Sequence, residues 1–177
     1  MSTSLNVEQS STAGTGSSSH REPDQMSAGR TRLYLARHGE LVTSREWRYV
    51  GHLDVALNDK GRAQIARLAR RLSMEKIDVL LSSDLMRTVE SAWIIGADIG
   101  LEPAAESAFR EIHLGQWEGL TREEITERFT QEFDFRSADI AGYRIQGGES
   151  FADVRDRVIP RLTACLDEHK GKNVLLV

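Results

Sequence analysis

The run Leu33-Tyr34-Leu35-Ala36 is strand-forming and breaks abruptly into Arg37-His38-Gly39-Glu40. A short apolar stretch that ends in a polar tip reads as a buried β-strand. Two later stretches repeat the pattern: Ile77 to Leu81 ends in Ser82-Ser83-Asp84, and Asn173 leads into Val174-Leu175-Leu176-Val177. In a parallel sheet ligands bind at the carboxyl ends of the strands, which places His38 at the mouth of a site. Gly39 then lets backbone come close to whatever His38 touches. Arg37 sets a cationic fork beside a potential nucleophile, a pairing suited to phosphate. Taken alone, the tetrad reads equally well as a strand end with two solvated polar residues.

Helical periodicity fills the intervals. Asn58 is placed to cap a helix with Ile65, Leu68, Ala69 and Leu72 on its apolar face, while Arg62, Arg67, Arg70 and Arg71 fall largely on the solvated side. A second helix follows Asp84 directly, with Leu85, Val89, Ala92 and Trp93 on one face and Gly100 just past its end. Arg87 lies in its first turn, where a cation opposes the helix dipole. A bound anion explains that placement better than a free surface position does.

Leu101 to Ala105 reads as a short third strand. From Glu106 to Glu149 the alternation breaks. This insertion carries Trp117, Tyr143 and a helix that starts at Thr121 with Glu124 three residues on, and such insertions form lids and specificity walls. Ser150 then caps a long helix with Val154, Val158, Leu162 and Leu166 as its stripe, kinked at Pro160 and closed by Gly171.

Composition narrows the class of function. The chain has 177 residues, a formal charge of −4 and 40% hydrophobic residues, enough for one domain with an ordinary core. Basic residues are dispersed, which argues against a nucleic-acid partner, and no run is long enough to cross a bilayer. The lone Cys165 excludes an internal disulfide and a Cys cluster for zinc, so a cytoplasmic setting is expected. Its place in an apolar helical pattern marks it as a core residue. Residues 1–30 are rich in Ser, Thr and Gly and read as a disordered tail, leaving 31–177 as the domain. The tail lacks the apolar segment of a secretion signal, and Glu8, Glu22 and Asp24 are out of keeping with a transit peptide.

Four blocks, in order, carry a resemblance. Leu35-Ala36-Arg37-His38-Gly39-Glu40, Ser82-Ser83-Asp84-Leu85-Met86-Arg87-Thr88, Arg110-Glu111-Ile112-His113-Leu114-Gly115-Gln116-Trp117-Glu118-Gly119 and Gly147-Gly148-Glu149-Ser150 resemble the histidine phosphatase superfamily, the phosphoglycerate-mutase-like fold. The resemblance covers nearly all of 31–177 and implies a three-layer α/β/α domain with a mostly parallel central sheet. It implies that His38 is the nucleophile and forms a phosphohistidine, and that Arg37 and Arg87 hold the phosphoryl oxygens, with Gly39 and Ser44 in the phosphate site. Glu111 matches the proton donor to the leaving oxygen, which can later deprotonate the hydrolytic water.

Chemistry supports these roles. Charge on a transferring phosphoryl group is spread over three oxygens, and preorganised guanidinium groups stabilise it without a metal or cofactor. A neutral attacking imidazole needs its second nitrogen held by an acceptor such as a backbone carbonyl. A carboxyl group donates a proton near neutral pH when desolvation or a neighbouring phosphate raises its pKa. His52 and His113 match no motif histidine and read as packing or solvated residues; Arg136 and Arg144 read as solvated.

The resemblance thus implies a phosphomonoester hydrolase of the histidine acid phosphatase type acting on a small molecule. Gly115-Gln116-Trp117-Glu118-Gly119 is similar to the hydrolase form of its block. A mutase-type phosphotransferase is the alternative, and a catalytically impaired phosphate-binding module is a third reading. Family members carry a second catalytic histidine in a His-Gly turn after the last central strand. This sequence ends at Val177, so the domain is expected to lack its C-terminal part. A homodimer is one assembly open to it.

Overall fold

The computed structural model describes residues 29–44 and 46–177; the tail expected at 1–30 lies, but for its last two residues, outside them. Four strands, β1 (Arg32–Leu35), β2 (Val79–Ser82), β3 (Ala104–Ala105) and β4 (Asn173–Leu176), form one sheet in the order β1-β4-β2-β3, and every pairing is parallel. The last strand is therefore inserted between the first two, and β1 lies at an edge.

Five helices connect them: α1 (Asp59–Leu72), α2 (Met86–Ile99), α3 (Arg122–Arg128), α4 (Thr130–Ala138) and α5 (Phe151–Glu168). Strand side chains alternate between faces. Leu80 and Leu175 pack with Ile65, Ala69, Leu72, Ala92 and Ile95 of α1 and α2, whereas Leu81 and Val174 pack with Cys165 of α5. Helices thus cover both faces, and the fold is α/β with a parallel sheet in three layers, as expected. Cys165 is a buried free thiol in the second of these layers. A third cluster, Ile112, Leu114, Trp117, Ile125 and Ile145, gives the 106–149 segment a core of its own.

The local signals that end helices act as the sequence predicts. Asn58 accepts from the Gly61 amide at 2.8 Å to cap α1, Thr121 with Glu124 and Ser150 with Asp153 form capping boxes, and Gly100 closes α2 with φ 73°.

Several expectations are corrected. The first strand is not fully buried: it is an edge strand, and Leu35, on the α5 side with Leu33, is 72% exposed. Trp93 does not join the buried face of α2, which runs through Thr88, Ser91, Ala92 and Ile95; one residue further round, its indole is 53% exposed. The third strand shrinks to two residues against β2. A fourth helix, α4, arises where no periodicity announced it. The α5 cap is His169, with Gly171 turning the chain two residues later at φ 75°.

Candidate active site

One cavity of about 400 Å³ opens at the carboxyl ends of the strands and is lined by all six residues singled out from the sequence: Arg37, His38, Gly39, Ser44, Arg87 and Glu111. They arrive from three separate regions of the chain. Arg37 and His38 follow β1, whose ladder extends one residue further through the Ala36 amide and the Leu176 carbonyl at 2.9 Å. The next residue but one is tied to α1, because the Glu40 amide donates to Gln64 Oε1 at 2.9 Å and its carbonyl accepts from the Asn58 amide at 2.9 Å.

His38 is half-buried, and its Nδ1 lies 2.7 Å from the Gly39 carbonyl. That contact assigns the proton to Nδ1 and leaves Nε2 with its lone pair. Burial pushes the His38 pKa below its ordinary value; the cationic Arg87 and Arg37 act in the same direction, against the Gly39 carbonyl and Glu111. The imidazole is thus held as the neutral form that a nucleophile requires.

Gly39 is required by the approach of α1. A Cβ at this position would lie 2.4 Å from the Gly61 carbonyl oxygen, and the Gly39 amide donates to Ser91 Oγ at 3.4 Å. The close contact that the glycine permits is therefore to protein backbone, which holds His38 against the start of α1. Ser44 is exposed and joins a polar cluster: its Oγ lies 2.7 Å from the Leu41 carbonyl and 3.0 Å from Glu40 Oε1, and it accepts from Asn58 Nδ2 at 3.2 Å. Lys60 adds an ion pair to Glu40 at 2.7 Å. Hydrogen bonds from Lys60 first, then Asn58 and Ser44, hold the Glu40 carboxyl down at about 2.

Arg87 is the buried cation. Its Nη2 donates to the Gly51 carbonyl at 2.7 Å and its Nη1 to the Leu53 carbonyl at 3.2 Å, so the fork is fixed in place with three N–H groups uncommitted to these carbonyls. The anion that the first turn of α2 takes up is a carboxylate of the chain itself: Asp54 Oδ1 accepts from the Met86 amide at 2.6 Å. Asp54 thus takes one amide of that turn, and Arg87 faces the cavity by virtue of its two carbonyl anchors.

Glu111 is exposed at the cavity wall, and its Oε1 accepts from the Ile112 amide at 2.9 Å. Its backbone is braced from two directions, since the Glu111 carbonyl accepts from His52 Nε2 and from Arg157 Nη2, both at 2.8 Å. Arg157 also grips Glu149 through Nε at 2.7 Å, and Glu149 accepts from the His113 amide at 2.9 Å. The fourth block is thereby a support for the third.

His52 is thus corrected from a packing residue to a brace, with its ring 4.7 Å from that of His113. Arg157 and Asp54 escape a reading of the sequence because no motif contains them. An Arg three residues after Val154 and next to Val158, on the apolar side of an amphipathic helix, is the one available signal for Arg157. Neither Arg136, over the Phe151 ring at 5.1 Å, nor Arg144, paired with Asp153, lines the cavity. Among the described residues no three His, Cys, Asp or Glu side chains cluster to hold a metal ion, and no helix is long and apolar enough to cross a membrane.

The chain is 40% identical over 148 residues to phosphoglycerate mutase-like protein 4 of Arabidopsis thaliana, covering 82% of this chain and 64% of that one. It is 36% identical over 146 residues to phosphoserine phosphatase 1 of Hydrogenobacter thermophilus, covering 82% and 69%. The chain therefore spans about two thirds of the length of these relatives. Among solved structures, a mycobacterial glucosyl-3-phosphoglycerate phosphatase in complex with VO3 superposes with a TM-score of 0.73 at 33% identity, covering 82% of this chain and 74% of that one. YhfR of Bacillus stearothermophilus superposes with a TM-score of 0.75 at 36% identity, covering 83% and 73%. Residues 33–177 match the profile described as the histidine phosphatase superfamily (branch 1), and the chain belongs to that family.

Proposed function

We propose that the chain is a phosphomonoester hydrolase, or the larger part of one, that works through a phosphohistidine on His38. The observation that carries this reading is the hydrogen bond between His38 Nδ1 and the Gly39 carbonyl, which leaves Nε2 free within a cavity that Arg37, Arg87 and Glu111 also line.

In the first step Nε2 attacks phosphorus and the bond from phosphorus to the ester oxygen breaks. Arg37 and Arg87 take the charge on the phosphoryl oxygens. Glu111, protonated beside the negative phosphate, gives its proton to the departing oxygen. In the second step water attacks phosphorus, Glu111 takes the water proton, and the phosphorus–nitrogen bond breaks to restore His38. The 106–149 segment, packed on its own core, is the wall that selects the leaving alcohol.

Hydrolysis is favoured over mutase-type transfer because the cations of this wall that a bisphosphate could use are taken up within the chain: Arg110 is paired with Asp84, Arg144 with Asp153, and Arg136 lies over the Phe151 ring. The experiment is a release assay for inorganic phosphate from an aryl phosphate. Release that persists in a chelator and disappears in His38→Ala supports the reading; loss of release in the chelator contradicts the arginine clamp. Transfer of the phosphoryl group to a second alcohol with no release of phosphate would instead favour the mutase, and phosphate binding without turnover the binding module.

A further inference from the structure

The cavity holds more than a phosphate needs. Besides the groups already assigned, it is lined by Trp47 and Tyr49 and by the apolar Leu41, Val50 and Leu114. Trp47 is 66% exposed, and a large aromatic ring left in water at the edge of a cavity is unpartnered surface that a ligand can cover.

This ring is held in place from behind. Trp47 and Tyr49 meet edge to face with centroids 4.6 Å apart, Tyr49 meets Trp117 at 6.2 Å, and Trp117 meets Phe133 at 6.1 Å. A chain of aromatic contacts therefore runs from the cavity into the core of the 106–149 segment. The backbone is pinned at the same point, with the Tyr49 amide on the Leu120 carbonyl at 2.9 Å and the Gly119 amide on the Tyr49 carbonyl at 2.6 Å. Arg48, between the two in sequence, also lines the cavity, but its guanidinium is engaged by the chain itself. It donates to the Gly119 carbonyl at 2.7 Å and is paired with Glu124 at 3.3 Å and with Glu46. What this stretch offers a ligand is the aromatic face, set beforehand at little conformational cost.

Building on the phosphohydrolase reading, we infer that Trp47, braced by Tyr49, is a specificity-determining platform for the leaving alcohol, and that the substrates are phosphate monoesters whose alcohol carries an aromatic or other planar apolar group. Stacking on one aromatic ring is worth about 0.5–1.5 kcal/mol beyond area burial, or roughly two- to tenfold in kcat/KM.

The test compares 2-phenylethyl phosphate with ethyl phosphate, whose leaving groups are chemically alike. The wild-type chain should prefer the phenylethyl ester by about tenfold in kcat/KM. Trp47→Ala should lower that ratio by about fivefold, and Trp47→Phe should retain most of it. The corresponding phosphonates, which cannot be hydrolysed, give the same comparison as dissociation constants by calorimetry, independent of turnover. An equal preference in the wild type, or a ratio untouched by Trp47→Ala, overturns the platform while the hydrolase stands. Absence of any binding by either phosphonate overturns the phosphate site, and this inference with it.

Discussion

Asp84 and Arg110 are joined at two points, Nε to Oδ1 at 2.5 Å and Nη2 to Oδ2 at 2.6 Å. The pair links the turn that launches Arg87 to the segment that carries Glu111, so it fixes the proposed phosphate ligand relative to the proposed proton donor. Arg110 holds the Asp84 carboxyl below its usual range. Both side chains are about one third exposed, and an ion pair so placed contributes at most about 1 kcal/mol to stability. Asp84→Ala should therefore move the thermal midpoint little and lower kcat about tenfold, because misplacement of a reacting group costs rate before it costs folding. Differential scanning calorimetry beside steady-state kinetics checks this, and an unchanged kcat would count against it.

The charge on Arg87 should be readable at His38. Burial, then Arg87, then Arg37 depress the histidine from its ordinary 6.5. In Arg87→Gln one of these cationic charges is gone, so the His38 midpoint in an NMR titration should move up. The sign for stability follows: as pH falls below 6.5, the unfolded chain takes up a proton at this site that the folded chain resists, and stability declines. That decline should be shallower in the variant, as followed by denaturant unfolding at several pH values.

Gly39→Ala should be severe. Its new Cβ would meet the Gly61 carbonyl oxygen at 2.4 Å, and because that oxygen is backbone and cannot swing aside, relief requires β1's polar tip to leave α1. Overpacking of this kind costs about 1–3 kcal/mol. Activity should fall by more than the loss of folded protein explains, since His38 moves with its neighbour. Denaturation midpoints and kcat per folded molecule separate the two effects.

Much of the fold is legible in the chain because its signals are local. Asn58, Thr121, Ser150 and Gly100 act within a few residues of their own position, so a helix end can be read where it stands. His38 and Arg87 are legible too, since one follows a strand end and the other stands in the first turn of a helix, whereas Glu111 is set by His52 and Arg157 from far along the chain. What stays hidden depends on contacts distant in sequence. Nothing near Leu35 says that β4 takes the interior place in the sheet and leaves β1 at its edge. His52 becomes a brace only when Glu111, 59 residues away, comes to lie over it. Trp93 and the face of α2 differ by a single residue of phase, which an apolar count over a short helix does not resolve.

Asn58 serves two purposes at once, and its replacement should show both. It caps α1 through Oδ1, while its Nδ2 donates to Glu40 Oε1 at 3.0 Å and to the Leu41 carbonyl at 2.9 Å. Asn58→Ala should cost about 1 kcal/mol through the lost cap. It should also raise KM several-fold, because the cavity wall from Glu40 to Ser44 loses its tie to the helix. Asn58→Ser should restore the cap and not the tie, recovering stability while KM stays high; the same two measurements on both variants decide it.

The central claim is that phosphorus is bonded to His38 during turnover. Rapid alkaline quenching of the wild-type chain with an aryl phosphate, followed by peptide mass spectrometry, should find acid-labile phosphate on the peptide bearing His38. His38→Ala should carry none and release no phosphate. Phosphate found on another residue, or hydrolysis at the wild-type rate in His38→Ala, would contradict the account.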